Sequence, residues 1–249
     1  MKVHLSRFVC MDPESNLQRC RSEAQTAAAA GAELIVFPES FLHGYSRRLD
    51  PKVIRSLFRE ISSDHPGGLF AFGSFTEDHR NRMTLWHRGE EVARYDKVHL
   101  FLPNGEATLW QPGDGYAALT FKEWTLGLFN CNDVRFPEQA RALRLQGRCD
   151  LLLAVAWWPW RRDQVWSTLL RARAIENGVF TVGCCIAASE YPGEPFAGAG
   201  NHVFDPLGTP VPTPDDHTYF LDRALLQQVM VDPLETAVEI TKLEIFRRD

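Results

Sequence analysis

Short apolar runs alternate with helical stretches along the length of this chain, and that alternation limits its fold more than any other feature. Val3–Cys10, Leu34–Phe37, Leu69–Phe75, Leu151–Ala156 and Phe180–Ile186 have the length and side chains of strands. Between them, Asn16–Ala30 reads as an Ala-rich helix stopped by Gly31, and Lys52–Ile61 as a second helix. A third helix follows Pro137, and a fourth runs from Gln164 to Asn177. Two hairpins interrupt the pattern: Met83–His87 with Glu91–Tyr95, and Tyr116–Phe121 with Thr125–Asn130. A Gly/Pro-rich loop covers Tyr191–Gly200, and His202–Asp205 and Thr218–Leu221 read as late strands. Strands that alternate with helices predict an α/β sandwich whose helices cover the sheet faces. With no repeat, linker or low-complexity segment, residues 1–249 are expected to form a single domain.

Composition excludes several functions. The net charge of −5 leaves no basic field to hold nucleic acid or an anionic membrane. No apolar run reaches the roughly 18–20 residues of a membrane helix, and Met1–Leu5 lack the apolar core of a signal peptide, so the cytoplasm is the expected location. Six scattered cysteines form no CxxC pair, and the eight histidines no HxH or HxxxH, so neither a disulfide framework nor a metal site is expected.

Reactive residues directly follow apolar runs at three places. Glu39 lies past Leu34–Phe37 and Pro38, at the carboxyl end of a strand, where open α/β sheets place their ligands. Phe37, Pro38, Phe41 and Leu42 would strip it of water, a setting suited to a general base; a surface glutamate at a strand exit is the plainer alternative. Lys97 and His99 share one face of an extended segment and Val98 and Leu100 the other, and Glu106 follows an Asn104-Gly105 turn signal as a loop residue. Cys131 ends the run Gly127–Asn130 and precedes Pro137, which can open a helix. A thiol at such a strand-to-helix turn would be exposed at the sheet edge, where backbone N–H groups and a helix N-terminus favour thiolate and oxyanion. The bland alternative is a buried core cysteine, as for Cys10, Cys149, Cys184 and Cys185.

Together, Val36-Phe37-Pro38-Glu39, Tyr95-Asp96-Lys97-Val98-His99, Gly105-Glu106 and Cys131-Asn132-Asp133-Val134-Arg135-Phe136-Pro137-Glu138 resemble the carbon–nitrogen hydrolase (nitrilase-like) superfamily. Trp158-Pro159, Leu170–Asn177 and Asp205-Pro206-Leu207-Gly208 extend the resemblance over nearly the whole chain. It implies a four-layer αββα sandwich, commonly paired into a homodimer, and a hydrolase needing no cofactor. By position it makes Cys131 the nucleophile, Glu39 the general base and Lys97 the oxyanion cation. The backbone N–H of Asn132 becomes the second oxyanion donor, and Glu106 a further glutamate beside the lysine and substrate.

Arg135, four residues past the cysteine, resembles the short ω-amidase-like branch, in which this arginine binds a substrate carboxylate. The alternative is that it pairs with Asp133 or Glu138 and props the turn. The expected partner is therefore a small amide bearing a carboxylate, an ω-amide or α-keto-acid amide. N-carbamoyl amidase, nitrilase, acyl transfer to an amine and a catalytically silent scaffold are the alternatives. Asn130, Asn132, Trp157, Cys184-Cys185 and Gly198-Ala199-Gly200 depart from the branch's usual residues. Trp157 and Asn132 are expected at the substrate, although Asn132 could instead serve the turn's backbone. Trp157, Trp158 and Trp160 are expected to be part core and part pocket lining.

Overall fold

The computed structural model describes residues 1–229 and 232–236, so the rest of the expected 1–249 domain lies outside the described residues. Its first half runs β1 (Lys2–Leu5), β2 (Val9–Cys10), α1 (Pro13–Ala29), β3 (Leu34–Phe37), α2 (Pro51–Asp64) and β4 (Leu69–Glu77). It continues with β5 (Arg80–His87), β6 (Glu90–Asp96) and the short α3 (Glu106–Leu109). Next come β7 (Ala118–Phe121), β8 (Trp124–Asn130), α4 (Pro137–Leu145), β9 (Leu151–Ala156), α5 (Asp163–Asn177) and β10 (Phe180–Cys185). Short strands β11 (Ala188–Ser189), β12 (Phe196–Ala197), β13 (His202–Phe204) and β14 (Thr218–Phe220) precede α6 (Pro233–Thr236).

Two large sheets result, ordered β14-β1-β3-β4-β5-β6 and β13-β10-β9-β8-β7. In each, three parallel strands are joined by covering helices: β1, β3 and β4 through α1 and α2, and β8, β9 and β10 through α4 and α5. The period-2 alternation of a strand builds the layers. Leu34 and Val36 of β3 face Leu151, Leu153 and Val155 of β9 in a core between the sheets. The alternate residues Ile35, Phe37, Leu152 and Ala154 turn outward into the helices. There, Phe58 of α2 stacks on Phe72 of β4 with centroids 4.0 Å apart. Helix, sheet, sheet, helix is the four-layer sandwich, and each buried Leu, Val or Phe contributes about 1.5–3 kcal/mol to it.

Two expectations need correction. Val3–Cys10 is not one strand: the chain leaves the large sheet after Leu5, and β2 pairs with β11 in a separate three-stranded sheet. Both N-terminal helices begin earlier than their apolar pattern suggests, because Asp12-Pro13 and Asp50-Pro51 form caps. The Asp12 carboxylate accepts from Ser15 N–H at 3.0 Å and Asp50 from Lys52 N–H at 2.9 Å, with proline at the first helical position.

Candidate active site

Glu39 directly follows β3 and Pro38. Gly73 makes that placement possible: at φ +48, a Cβ there would lie 1.8 Å from the Pro38 carbonyl oxygen. Only glycine lets β4 pass so close. Ser40, at φ 50, turns the chain away, and its N–H donates to Ser74 Oγ at 3.2 Å. His43 braces the same turn from behind. Its Nδ1 meets the Gly44 carbonyl at 2.6 Å, and its Nε2 accepts from Thr76 N–H at 3.1 Å. Burial pulls this imidazole down to about 4, so it is neutral, with its proton on Nδ1.

Cys131 also sits in left-handed backbone, at φ 52, a strained conformation for a residue with a Cβ. A tight turn over Cys131–Arg135 separates it from α4. The carboxylate of Asp133 holds that turn from beneath. Its Oδ2 accepts from Asn130 N–H and the Tyr95 hydroxyl, both at 2.8 Å; its Oδ1 accepts from His99 N–H and Nδ1, both at 2.9 Å. Gln139 Nε2 donates to the Tyr95 hydroxyl oxygen at 3.1 Å, closing the network.

These supports bring Glu39, Lys97, Glu106 and Cys131 into one electrostatic cluster. Lys97 Nζ donates to Glu39 Oε1 and to Glu106 Oε1, both at 2.9 Å. Glu39 Oε1 also accepts from Asn81 Nδ2 at 2.9 Å, and Glu39 Oε2 from the Trp157 backbone N–H at 2.8 Å. Glu106 Oε2 accepts from Phe101 N–H at 2.8 Å, and Tyr45 donates its hydroxyl to Glu106 Oε1 at 3.2 Å. Glu39 and Lys97 are 0% exposed. Burial works against the lysine's charge, but Glu39, Cys131 and Glu106 outweigh it and hold Lys97 above its usual value, so it stays protonated. Burial raises the Glu106 carboxyl, and Lys97 restrains the rise.

The thiol differs from expectation. Cys131 is only 6% exposed, not open at a sheet edge. Burial, and then the negative charge of Glu39, push it well above the ordinary thiol range despite Lys97, so it rests as a thiol rather than a thiolate. Its Sγ faces the Trp157 carbonyl oxygen at 4.0 Å. Glu106 is likewise not a plain loop residue: it opens α3 and is buried.

Above the thiol lies a small pocket of about 30 Å³, lined by Phe101, Arg135, Trp157, Trp158 and Arg162. Asn132 also reaches its wall, but its side-chain Nδ2 donates to the carbonyls of His99 at 3.1 Å and Leu100 at 3.3 Å, so this amide serves the backbone. Arg135 pairs with neither Asp133 nor Glu138. Its guanidinium lies 4.6 Å from the centroid of the Trp158 ring. Trp157 and Trp158 join core to pocket as expected, whereas Trp160 is 65% exposed and belongs to neither. Cys185 lies behind the wall, with its Sγ 3.4 Å from Trp158 N–H.

A carbon–nitrogen hydrolase family model matches residues 3–218. This chain belongs to the carbon–nitrogen hydrolase family. Omega-amidase YafV of Escherichia coli strain K12 is 31% identical over 218 residues, covering 84% of this chain and 82% of the relative. The deaminated glutathione amidase of Synechocystis sp. strain PCC 6803 is 30% identical, covering 73% of this chain and 77% of the relative. Among solved structures, an amidase variant from Nesterenkonia sp. AN1 superposes with a TM-score of 0.76 at 25% identity, covering 92% of each chain. That structure carries the acetamide moiety of fluoroacetamide, covalently added at its active-site cysteine. Like its relatives, this carbon–nitrogen hydrolase is an enzyme with a cysteine-dependent amidase mechanism.

Sequence reasoning missed four supporting residues of the hydrolase site. Asn81 is an ordinary polar residue inside β5, yet it links Glu39 to Asn130, whose Nδ2 donates to Asn81 Oδ1 at 3.0 Å. Tyr45 and His43, a few residues past Glu39, carried no expectation, and Asp133 was considered only as a partner for Arg135. Asn81 lies in the polar stretch Glu77–Arg82, so nothing in the sequence around it marked it out.

Proposed function

We propose that the chain hydrolyses a small amide bearing a free carboxylate, an ω-amide or α-keto-acid amide, to acid and ammonia. One observation carries this reading: Arg135 lies over Trp158 in the pocket above Cys131, with no carboxylate partner among the described residues. A guanidinium stacked on an aromatic face keeps its N–H edge free for bidentate capture of a carboxylate. The similarity to an ω-amidase supports the same substrate class.

In this reading Cys131 Sγ attacks the amide carbon as Glu39 takes the thiol proton, which suits a thiol held neutral at rest. The oxyanion forms beside Lys97, whose ammonium donates hydrogen bonds to Glu39 and Glu106 and has a third N–H to offer, with Asn132 N–H as second donor. Glu39 passes its proton to the leaving nitrogen and ammonia departs, leaving a thioester. Glu39 then takes a proton from water as the water attacks the thioester carbon, and the proton returns to the departing sulfur. Glu106 and the Tyr45 hydroxyl keep Lys97 in place throughout.

The test compares kcat/KM for 2-oxoglutaramate, succinamate and neutral butyramide, read as ammonia release, in the parent and Arg135→Lys. The acidic-to-neutral ratio should fall about tenfold in the variant, since lysine keeps the charge but loses the fork. A uniform loss on all three substrates, with a lower Tm, would show Arg135 propping the turn and would remove the carboxylate from the proposal.

A further inference from the structure

The same pocket holds a second guanidinium that the reaction does not use. Arg162 lines it, and its charge lies close enough to Arg135 to contribute, after burial, to lowering that residue's pKa. Trp158 positions both arginines. One face of its ring carries Arg135, and its Nε1–H donates to the Arg162 carbonyl oxygen at 2.9 Å. Arg162 in turn lies 6.0 Å from the centroid of the Phe101 ring. Each guanidinium thus has an aromatic neighbour, and among the described residues neither has a hydrogen-bonded carboxylate.

The neighbouring acids are engaged elsewhere. Asp163, next to Arg162, accepts from Gly200 N–H at 2.7 Å and meets His202 Nε2 at 2.9 Å. Asp133, near Arg135, spends both oxygens on the turn beneath Cys131. Two like charges at one small pocket, Arg135 half-buried and Arg162 exposed at its mouth, repel each other, and among the described residues no carboxylate bonds to either. An anion placed between them would relieve that repulsion. The floor sets the charge balance: Glu39 and Glu106 against Lys97 leave one negative charge when both carboxyls are ionised, and the two arginines reverse it to one positive. A single carboxylate brings the loaded site to neutrality.

Resting on the carboxylate-amide reading above, we propose that Arg162 is a second specificity-determining residue, the other arm of a clamp with Arg135. The clamp takes a monocarboxylate amide and holds its free carboxylate between the two guanidiniums while the amide end reaches Cys131.

The experiment measures kcat/KM for succinamate and butyramide, which differ in a terminal carboxylate against a methyl, with Tm recorded for each variant. Arg162→Gln should lower the succinamate-to-butyramide ratio about tenfold, mainly through KM, with Tm unchanged. Arg162→Lys should retain part of the ratio, because the charge survives without the fork. If Arg162→Gln leaves the ratio within twofold while Arg135→Gln collapses it, the clamp is wrong and the carboxylate-amide reading stands. If the parent enzyme shows no preference for succinamate, that reading falls and the clamp with it. An equal loss on both substrates, or a lowered Tm in both Arg162 variants, would assign Arg162 to support of the loop and overturn the proposal.

Discussion

Lys97 and Arg135 are both cations beside Cys131, yet they are held under opposite conditions. Lys97 is wholly enclosed and hydrogen-bonded to two carboxylates, each tied in turn to Asn81, Trp157, Phe101 or Tyr45. Arg135 is only partly buried, rests on a ring and has no acidic partner among the described residues. In the proposed reading the difference separates reaction from recognition. Groups that must be in place before any substrate arrives are fixed by redundant bonds across both sheets. Groups that read the substrate are left with donors unspent. Damage to the floor should therefore abolish turnover on every amide, and disturb folding where a bonded group is lost, whereas damage to the mouth should re-rank substrates.

Removing the proposed nucleophile breaks the floor most completely. Cys131→Ala should reduce turnover on all amides by at least about 10⁴-fold, as expected for loss of a covalent nucleophile. Circular dichroism should be unchanged, because among the described residues the thiol makes one long hydrogen bond, to the Trp157 carbonyl oxygen, and a methyl keeps most of its packing. A folded alanine variant with substantial turnover would take Cys131 out of the chemistry.

Lys97→Met should cost at least about 10²-fold in kcat, and leaving two buried carboxylates face to face should destabilise the fold by about 3–5 kcal/mol. Glu39→Gln should match the kinetic loss with a smaller stability cost, since the amide oxygen can still accept. Intact-mass measurement with a slow substrate separates the two: the lysine variant should fail to acylate. An acyl-enzyme accumulating in it would count against oxyanion stabilisation at that step.

The floor can also be attacked without touching a reactive group. Gly73→Ala puts a methyl against the Pro38 carbonyl in a left-handed conformation, so the strand must shift and carry Glu39 with it. We expect about 2–4 kcal/mol lost in urea unfolding and a fall in kcat that is equal for acidic and neutral amides. A selective loss would mean that the floor also reads the substrate.

The smallest expected effect on turnover lies behind the floor, at His43, which acts on stability alone. Its value in the folded protein, about 4, lies below its usual 6.5. Between those limits the unfolded chain therefore takes up a proton that the native state refuses. Stability should fall as pH drops through that window, by about 3 kcal/mol in all. His43→Gln should remove this pH-dependent share, so the stability gap between parent and variant should narrow from pH 7 to pH 4.5. A constant gap would place the proton elsewhere.

The parts of this site that were legible in the sequence are those that follow from local pattern. Glu39, Lys97 and Cys131 each end an extended run, and strand ends carry chemistry because the backbone there must turn. The break after Leu5 was not legible, because Ser6-Arg7-Phe8 does not interrupt the apolar pattern enough to mark a change of sheet. Nor was the role of Asn81, whose partners Glu39 and Asn130 are 42 and 49 residues away in the chain. The buried thiol was misjudged for a related reason. Its cover comes from Trp157 and the pocket wall on another strand end, and no pattern around residue 131 encodes it.

The bond from the Trp157 N–H to Glu39 joins residues 118 positions apart, one at the end of β3 and the other at the end of β9. It exists only when the two sheets have met. During refolding from denaturant, helix and strand signals can return while each sheet is still separate, but catalysis cannot. Recovered turnover therefore times the meeting of the two halves, and the lag between ellipticity and activity measures how long that meeting takes.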